Sequence, residues 1–315
     1  MVIRKTLFTL ILFLCTFAPF SILCRMGTPL QDSFSSHFLP HVCDFHYISL
    51  REQFSQVGYL EMCDENYGIT TYDSLYACFD ELITFLQANP AWAQKLYIAK
   101  ERFIRSEHRN YYSTDFFGFY DESEREGRNQ ISFYYSVHFQ DFIFSHYQEF
   151  RQISQVVTFF AMCFAIQQST ANIFTQAATQ LSLENIFSSK YEHLPILLKV
   201  VKYLPSYSVS RPHYDGTAFS LFLDSTDNQS LLVASYRATF TVEDFYSPLR
   251  KFHRSDNQNS ILLIPGTLLT EFSLYPTPHI VEQNGKIRYA TIAFAMRPYH
   301  TSEKNNFSLL PNFKS

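Results

Sequence analysis

The sequence predicts an α+β protein that is mainly β, with helices in the first part of the chain and a barrel or jelly roll of short strands in the second. Long amphipathic patterns end before residue 190. From residue 194 onward, short runs rich in β-branched and aromatic residues alternate with turn signals. The composition of 33 Phe and 21 Tyr against one Trp and 8 Gly agrees, because large aromatic side chains suit the filling of a barrel or sandwich. With 46% hydrophobic and 17% charged residues, the 315-residue chain can bury a sizeable core.

The first 26 residues are predicted to be a signal peptide or a membrane anchor. Arg4 and Lys5 precede an apolar stretch over 7–24, which is the pattern of an export signal or a short anchor. We therefore expect an exported or membrane-anchored protein, with membrane contact only through 7–24 if this segment stays uncleaved. The alternative is that translation starts at Met26, which would place the protein in the cytoplasm.

Residues 27–190 are predicted to form a helix-rich region that packs on the barrel. Ser49 followed by Glu52 is a capping-box pattern, which predicts the start of the first helix. Pro90 is expected to stop the second helix. In order, the predicted elements are a helix over 49–57, a strand over 58–62, a helix over 73–87, a surface loop over 105–130, a long helix over 147–181 that packs on the barrel, and a short helix over 182–189.

Residues 191–300 are predicted to form the barrel core, and residues 301–315 a polar tail. The predicted strands cover 197–203, 218–223, 231–235, 261–265, 279–282 and 286–294. A net charge of −4 without a run of Lys or Arg argues against a nucleic-acid partner. The chain has no Cys-x-x-Cys pair, which excludes a zinc ribbon. Cys63 and Cys78 could pair in an oxidising compartment or remain buried free thiols.

The strongest chemical signal is His213-Tyr214-Asp215, followed further along the chain by His279. Residues two apart in a strand point to the same face, so His213 and Asp215 could reach one metal ion. Two imidazoles and one carboxylate are the donor set that binds Fe(II) on one face and leaves positions open for other ligands. The alternative is an ordinary hydrogen-bonded His–Asp pair without a metal. Three other histidines are interpreted as core or surface residues, namely His138, His146 and His253.

Several segments together resemble the non-haem Fe(II)/2-oxoglutarate-dependent dioxygenase superfamily, in particular the branch that includes isopenicillin N synthase and plant flavonoid and gibberellin oxygenases. They include the family's strand ending in Tyr-x-Pro and its His-x-Asp segment. The similar segments, within an overall span of 45–298, are 54–59, 198–205, 213–223, 231–233 and 260–269. The resemblance implies a double-stranded β-helix, which is a cupin-like jelly roll. It also implies Fe(II) bound by His213, Asp215 and His279, with 2-oxoglutarate and O2 as co-substrates.

The resemblance further implies an Arg-x-Ser pair that holds the far carboxylate of 2-oxoglutarate. At the family's spacing, the Arg position falls on Tyr289 and the Ser position on Thr291, whereas the arginine of this chain is Arg288. A buried carboxylate needs a charge-matched donor, which favours Arg288, with Tyr203 as the second anchor. Other arginines that could serve instead are Arg211, Arg237 and Arg297.

The turn at Asn284-Gly285 bears on which of these residues faces inward. A two-residue turn would place Val281 opposite Arg288 and His279 opposite Ala290, so that Arg288 shares the interior with His279. Ala290 would then occupy the family's Ser position. A longer loop with a bulge would instead turn inward the two residues Tyr289 and Thr291.

The resemblance implies an oxidoreductase that oxidises, most simply by hydroxylation, an unactivated C–H bond of a small organic substrate, with release of succinate and CO2. A peptide substrate is an alternative, and the protein is expected to be a monomer. Two other functions stay open. A 2-oxoglutarate-independent Fe(II) oxidase like isopenicillin N synthase is suggested by the missing Ser. A catalytically inactive exported barrel that acts as an interaction protein is suggested by the leader.

Overall fold

The computed structural model describes residues 49–63, 72–106, 112, 114–123, 129–183, 195–207, 210, 212–226, 230–234 and 260–296. All of them belong to one compact unit. The predicted leader over 1–26 and tail over 301–315 lie outside the described residues, as does most of the short helix predicted over 182–189.

Helices dominate the first part of the described chain, and strands dominate after residue 195. The helices are α1 (Leu50–Gln56), α2 (Tyr72–Ala88), α3 (Pro90–Ile104), α4 (Val137–His146) and α5 (Ser154–Gln180), with 3-10 helices at Gln148–Gln152 and Thr267–Phe272. The strands are β1 (Leu60–Cys63), β2 (Gly118–Glu122), β3 (Gln130–Tyr135), β4 (Ile196–Tyr203), β5 (Phe219–Ser225), β6 (Leu231–Val233), β7 (Ser260–Pro265), β8 (His279–Val281) and β9 (Arg288–Ala295).

The strands form two antiparallel sheets whose inner faces pack together. The large sheet has the order β1-β7-β5-β9-β4-β3-β2, and the small sheet pairs β6 with β8. One apolar contact between them joins Val233 of β6 to Leu262 and Ile264 of β7. Another joins Val281 of β8 to Val201 of β4. Two facing antiparallel sheets with flanking helices confirm the predicted mainly-β, jelly-roll class.

Helices α2 and α5 pack on the outer face of the large sheet. The largest fully buried aromatic side chains belong to the hydrophobic core that these helices and the sheet share. The ring centroid of Phe159 on α5 lies 5.3 Å from that of Phe79 on α2 and 5.1 Å from that of Phe133 on β3. The abundance of phenylalanine therefore reflects this helix–sheet layer rather than the barrel interior. Truncating one such ring to alanine typically costs about 3–5 kcal/mol.

Local sequence signals predicted several boundaries correctly. The Ser49 hydroxyl accepts a hydrogen bond from the Glu52 N–H at 3.2 Å, which confirms the predicted N-cap of α1. The strands predicted after residue 194 agree with β4 to β9 within two residues at each end. Cys78 and Cys163 are free thiols among the described residues.

Other local predictions were incomplete or wrong. Pro90 ends α2 as expected, but it also begins α3, where its missing N–H costs no helical hydrogen bond. The predicted surface loop over 105–130 contains β2, which pairs with β3. The long helix predicted over 147–181 begins only at Ser154, after the first 3-10 helix. Before it lies α4, whose N-cap Ser136 accepts a hydrogen bond from the Phe139 N–H.

Candidate metal centre

His213 and His279 are brought together by backbone pairing between distant parts of the chain. They form an isolated antiparallel bridge, in which each backbone N–H donates to the other residue's carbonyl, at 3.1 and 3.0 Å. Their ring centroids are 4.3 Å apart. His279 is the first residue of β8 and is buried, whereas His213 is partly exposed. The bridge therefore places both imidazoles at one point on the inner side of the small sheet.

Asp215 reaches the same point from a turn rather than from a strand. The sequence predicted a strand that carries both His213 and Asp215, but β5 begins only at Phe219. The Asp215 backbone carbonyl accepts from the Thr267 N–H at 2.9 Å, which ties the turn to the segment after β7. One ligand atom from each of His213, Asp215 and His279 lies within 4.8 Å of the others. The tertiary structure thus brings together the three predicted ligands, although not by the predicted strand geometry.

The Asp215 carboxylate is oriented by a short hydroxyl relay. The Ser220 hydroxyl donates to Asp215 Oδ2 at 2.6 Å. The hydroxyls of Thr217 and Ser220 are 3.0 Å apart, and because the Ser220 hydrogen is already committed to the carboxylate, Thr217 donates to Ser220. Ser220 and Thr217 are both buried. A carboxylate held in this way keeps its remaining lone pairs free for a metal ion.

His279 presents an unprotonated nitrogen to the centre. Its Nδ1 lies 3.2 Å from the Thr277 carbonyl, which can only accept, so Nδ1 carries the proton. Burial lowers the pKa of His279 to about 4, although the Asp215 carboxylate opposes this shift. The imidazole is therefore neutral at pH 7, with its Nε2 lone pair 3.6 Å from Asp215 Oδ2. That separation exceeds a hydrogen bond, so these two groups face a common centre and do not bond each other.

The donor set fits a ferrous ion. Two imidazole nitrogens and one oriented carboxylate oxygen, grouped on one side, are the ligands that Fe(II) takes in oxygenases that need open coordination positions. His279 and Asp215 each have the supporting hydrogen bond that fixes metal ligands in proteins. Of the other histidines, His138 Nδ1 bonds the Tyr112 hydroxyl and His146 Nδ1 bonds the Phe142 carbonyl, so both fill structural roles as predicted.

Arg288 faces the barrel interior, but the predicted hairpin that led to this expectation was wrong. Strand β8 pairs with β6, whereas β9, which begins at Arg288, pairs with β4 and β5. Val281 is therefore not the strand partner of Arg288. The turn at Gly285 instead connects the two sheets, and the Gly285 N–H donates to the Ser206 carbonyl at 2.8 Å. Arg288 points inward because it lies directly opposite Tyr203, its strand partner on β4.

The Arg288 side chain is buried and held from two sides. Its guanidinium lies 3.6 Å from the centroid of the Tyr203 ring, a cation–π contact, and its Nη2 donates to the Glu282 carbonyl at 3.1 Å. Tyr203, predicted as the second anchor for 2-oxoglutarate, thus directly supports the guanidinium. The rival arginines Arg211, Arg237 and Arg297, and also His253, lie outside the described residues.

The residues that follow Arg288 alternate between the two faces of β9. Ala290 packs with Val201 and Tyr203 on the inner face, so the position of the family's Ser carries no hydroxyl. Tyr289 faces α2, where its hydroxyl donates to Asp80 at 2.5 Å, and the Thr291 hydroxyl donates to Tyr76 of the same helix at 3.1 Å. Of the two alternatives for the turn, the structure supports the one with Arg288 and Ala290 inside.

One inward-facing cation was missed from the sequence. Lys199 lies four residues before Tyr203 on β4, so the two side chains share the inner face. Its strand partners are Tyr134 on β3 and Ile292 on β9. The signal was present, because the strand was predicted and alternation from Tyr203 passes through Lys199.

The solved structures that are similar to this chain share little of its sequence. No family model and no curated protein matches the chain. A dioxygenase for auxin oxidation from Arabidopsis thaliana, solved with 2-oxoglutarate, is 15% identical over 79% of this chain and 86% of that chain, with a TM-score of 0.48. JOX2 in complex with 2-oxoglutarate, iron and JA is 15% identical over 79% of this chain and 70% of that chain, with a TM-score of 0.45. A dioxygenase for auxin oxidation from rice is 12% identical over 79% of this chain and 76% of that chain, with a TM-score of 0.40.

Proposed function

We propose that this protein is an Fe(II)- and 2-oxoglutarate-dependent dioxygenase of the isopenicillin N synthase-like branch, and that it hydroxylates an unactivated C–H bond of a small organic substrate. The observation that carries the proposal is the convergence of His213, Asp215 and His279, with ligand atoms within 4.8 Å of one another, on the interior that Arg288 also faces. A metal-binding triad and a buried guanidinium in one barrel are the two requirements for binding iron and a dicarboxylate together.

The ligands of this chain are prepared before a metal ion arrives. His279 is neutral, and its Nδ1–H bond to Thr277 fixes the ring, so Nε2 needs no proton loss or rotation to bind. Ser220 holds Asp215 Oδ2 in place. When bound, Fe(II) supplies the oxidative chemistry in which O2, 2-oxoglutarate and a substrate C–H bond give succinate, CO2 and the hydroxylated product.

Arg288 would hold the far carboxylate of 2-oxoglutarate. A guanidinium binds a carboxylate through paired N–H donors, and burial strengthens that interaction because water does not compete for it. Tyr203 limits the motion of the guanidinium by stacking on it. Aliphatic side chains on the inner face exclude water from the space between Arg288 and the metal centre. They include Val201, Ala290 and Ile292.

The test of the metal site is an anaerobic titration of the purified protein with Fe(II) and then 2-oxoglutarate, followed by the visible charge-transfer band. We expect one equivalent of each to bind to the wild type. In His279→Ala, Fe(II) affinity should fall by more than about 100-fold, since losing only a supporting contact of a ligand typically costs 10–100-fold. The matched control is His146→Ala, because His146 only bonds its own helix. Wild-type iron binding in His279→Ala would remove His279 from the triad.

A second candidate is a 2-oxoglutarate-independent Fe(II) oxidase, which Ala290 at the family's Ser position favours, because this position then offers no hydroxyl to the carboxylate. It predicts iron-dependent O2 consumption that added 2-oxoglutarate leaves unchanged. An inactive barrel that serves as an interaction protein predicts that the wild type binds no stoichiometric Fe(II) in the same titration.

We further propose that the chain acts as an exported or membrane-anchored monomer on a small molecule. The support is the basic start and apolar stretch over 7–24. Fractionation of cells that express the full chain would find it in the membrane or exported fraction. Recovery in the cytoplasm with Met26 at the N-terminus would support the alternative start.

A further inference from the structure

Lys199 is a cation inside the barrel that the proposed iron and 2-oxoglutarate chemistry does not use. It lies on the inner face of β4, and its direct strand partners on that face are Tyr134 and Ile292. Ile292 is in turn opposite Phe222 of β5, whose ring packs edge-on against His279 with centroids 5.6 Å apart. Lys199 is therefore at the level of the metal centre, on the neighbouring part of the sheet.

The Lys199 side chain is partly buried, and its ammonium has no counter-ion in the described parts of the chain. Its Nζ lies 5.5 Å from the centroid of the Tyr134 ring, and no ion pair joins it to any described carboxylate. Burial would lower the pKa of Lys199, but the nearby hydroxyls of Tyr134 and Tyr203 and the charge of Asp215 outweigh it and raise the pKa. A partly buried ammonium that stays charged favours binding of an anion, because pairing offsets its desolvation cost.

Lys199 and Arg288 lie at different levels of the barrel. Tyr203, the strand partner of Arg288, is four residues from Lys199, which is about 13 Å along the strand. Arg288 is fixed at its own level by Tyr203 and the Glu282 carbonyl. The two cations can therefore serve two different carboxylates, one of the co-substrate and one of another molecule.

An aromatic cluster adjoins Lys199 on the same face of the sheet. The Tyr134 ring stacks on Phe116 with centroids 5.4 Å apart and meets Tyr120 edge-on at 5.5 Å. Phe116 is 49% exposed, so the cluster is reached from solvent. A charged head bound at Lys199 would leave its apolar body against these rings, which offer flat contact area.

We propose that Lys199 binds a carboxylate of the primary substrate, so that the oxidised molecule is a small organic acid with an apolar body that lies against Tyr134. The inference rests on the proposed function and adds the class of its substrate. Lys199 in this role is a binding residue that sets which molecules enter the site next to the metal centre, separate from the Arg288 subsite for 2-oxoglutarate.

The experiment uses the full chain loaded anaerobically with Fe(II) and 2-oxoglutarate. It is titrated with a panel of aryl and alkyl monocarboxylic acids, such as 3-phenylpropionate, each paired with its uncharged primary amide. Binding is read from the change in the charge-transfer band and from thermal stabilisation of the protein. We expect at least one acid to bind about 10-fold or more tightly than its amide, because the uncharged amide cannot form the charge-assisted contact with Lys199.

Lys199→Met should remove this preference for the acid over the amide, and Lys199→Arg should keep part of it. The matched control is Lys202→Met on the opposite face of the same strand, where Lys202 pairs with Asp80 at 2.8 Å outside the barrel. The Lys202 variant should keep the full preference. Urea unfolding checks the fold, and if Lys199→Met does not fold, Lys199→Gln carries the same comparison.

Three results would overturn the assignment. They are a wild type that prefers no acid over its amide, a Lys199→Met protein that keeps the preference, and a loss of 2-oxoglutarate affinity of about 10-fold or more in Lys199→Met but not in Arg288→Gln. The third result would make Lys199 the anchor of the co-substrate. Failure of the wild type to bind Fe(II) and 2-oxoglutarate at all is a different outcome, because it overturns the proposed function and the substrate class with it.

Discussion

Gly266→Ala is expected to damage the metal centre without touching a ligand. Gly266 follows β7, and its φ of −102° suits any residue, so backbone strain is not the obstacle. The obstacle is space. A Cβ at Gly266 would lie 2.1 Å from the Thr217 carbonyl oxygen and 2.5 Å from the Thr217 hydroxyl. Because the nearest atom belongs to the backbone, the two segments must separate.

The required separation is large on the scale of a metal site. Ordinary van der Waals contact begins at 3.4 Å, so the backbone must shift by more than about 1 Å. The same segments are joined by hydrogen bonds from the Gly266 N–H to the Ala218 carbonyl and from the Thr267 N–H to the Asp215 carbonyl, both 2.9 Å. The shift therefore passes directly to the turn that carries Asp215.

We expect Gly266→Ala to lower the free energy of unfolding by about 1–3 kcal/mol, the usual cost of overpacking. Fe(II) affinity should fall by about 10- to 100-fold, as for the loss of a contact that orients a metal ligand. Urea unfolding of the metal-free protein measures the first, and anaerobic competition with a chromophoric chelator measures the second. The matched control is Gly216→Ala, because no atom lies within 4 Å of the added Cβ. Its stability should stay within about 0.5 kcal/mol of the wild type.

Two results would refute this reasoning. One is a Gly266→Ala protein with wild-type iron affinity, which would show that the turn can move without disturbing Asp215. The other is an equal loss of affinity in Gly216→Ala, which would show that the turn is sensitive to any added methyl group and that close approach at Gly266 is not the cause.

Two further predictions concern the residues at the centre. Ser220→Ala removes the 2.6 Å hydrogen bond to Asp215 Oδ2, so Fe(II) affinity should drop by about 10-fold or more in the chelator competition; unchanged affinity would show that the carboxylate needs no such donor. The stability of the metal-free protein should depend on pH through His279, whose pKa is lowered from 6.5 to about 4 by burial. Between these values the unfolded chain binds a proton that the folded chain does not, so this contribution is complete above about pH 6.5 and is lost as the pH falls toward 4. Urea unfolding at pH 7 and pH 5 measures how much the free energy of unfolding falls between these pH values. The fall should be smaller in His279→Asn than in the wild type, and an equal fall would contradict the prediction.

Arg288 illustrates a correct conclusion drawn from an incorrect geometry. Its inward facing was predicted from a two-residue hairpin that pairs β8 with β9. In the structure these strands belong to different sheets, and Arg288 faces inward because it is opposite Tyr203 on β4. Strand alternation is a property of the local chain, whereas the choice of strand partner depends on contacts that lie far away in sequence.

The helix-rich half of the chain shows the same contrast between local patterns, which the sequence reveals, and long-range contacts, which it does not. The Ser49 cap and the bounds of α2 follow from patterns within one or two turns, and they were predicted. Strand β2 was missed, because its residues read as a polar loop until pairing with β3 satisfies their backbone groups. Helix α4 was missed although Ser136 is a usable N-cap, because its apolar residues continue into the stretch that was assigned to the next helix.

By itself, the sequence determined which chemical groups are available, namely two histidines and an aspartate at ligand spacing and an arginine near the distal histidine. It also determined the apolar periodicities that form the strands and the main helices. Only the tertiary structure decided that His213 meets His279 through a backbone bridge, that Asp215 is held by Ser220 from a turn, and that Lys199 lies between Tyr134 and Ile292 on the inner face of the sheet. The physical reason is that side-chain types and periodicity are local, while convergence depends on which strands pair and which sheet faces pack together.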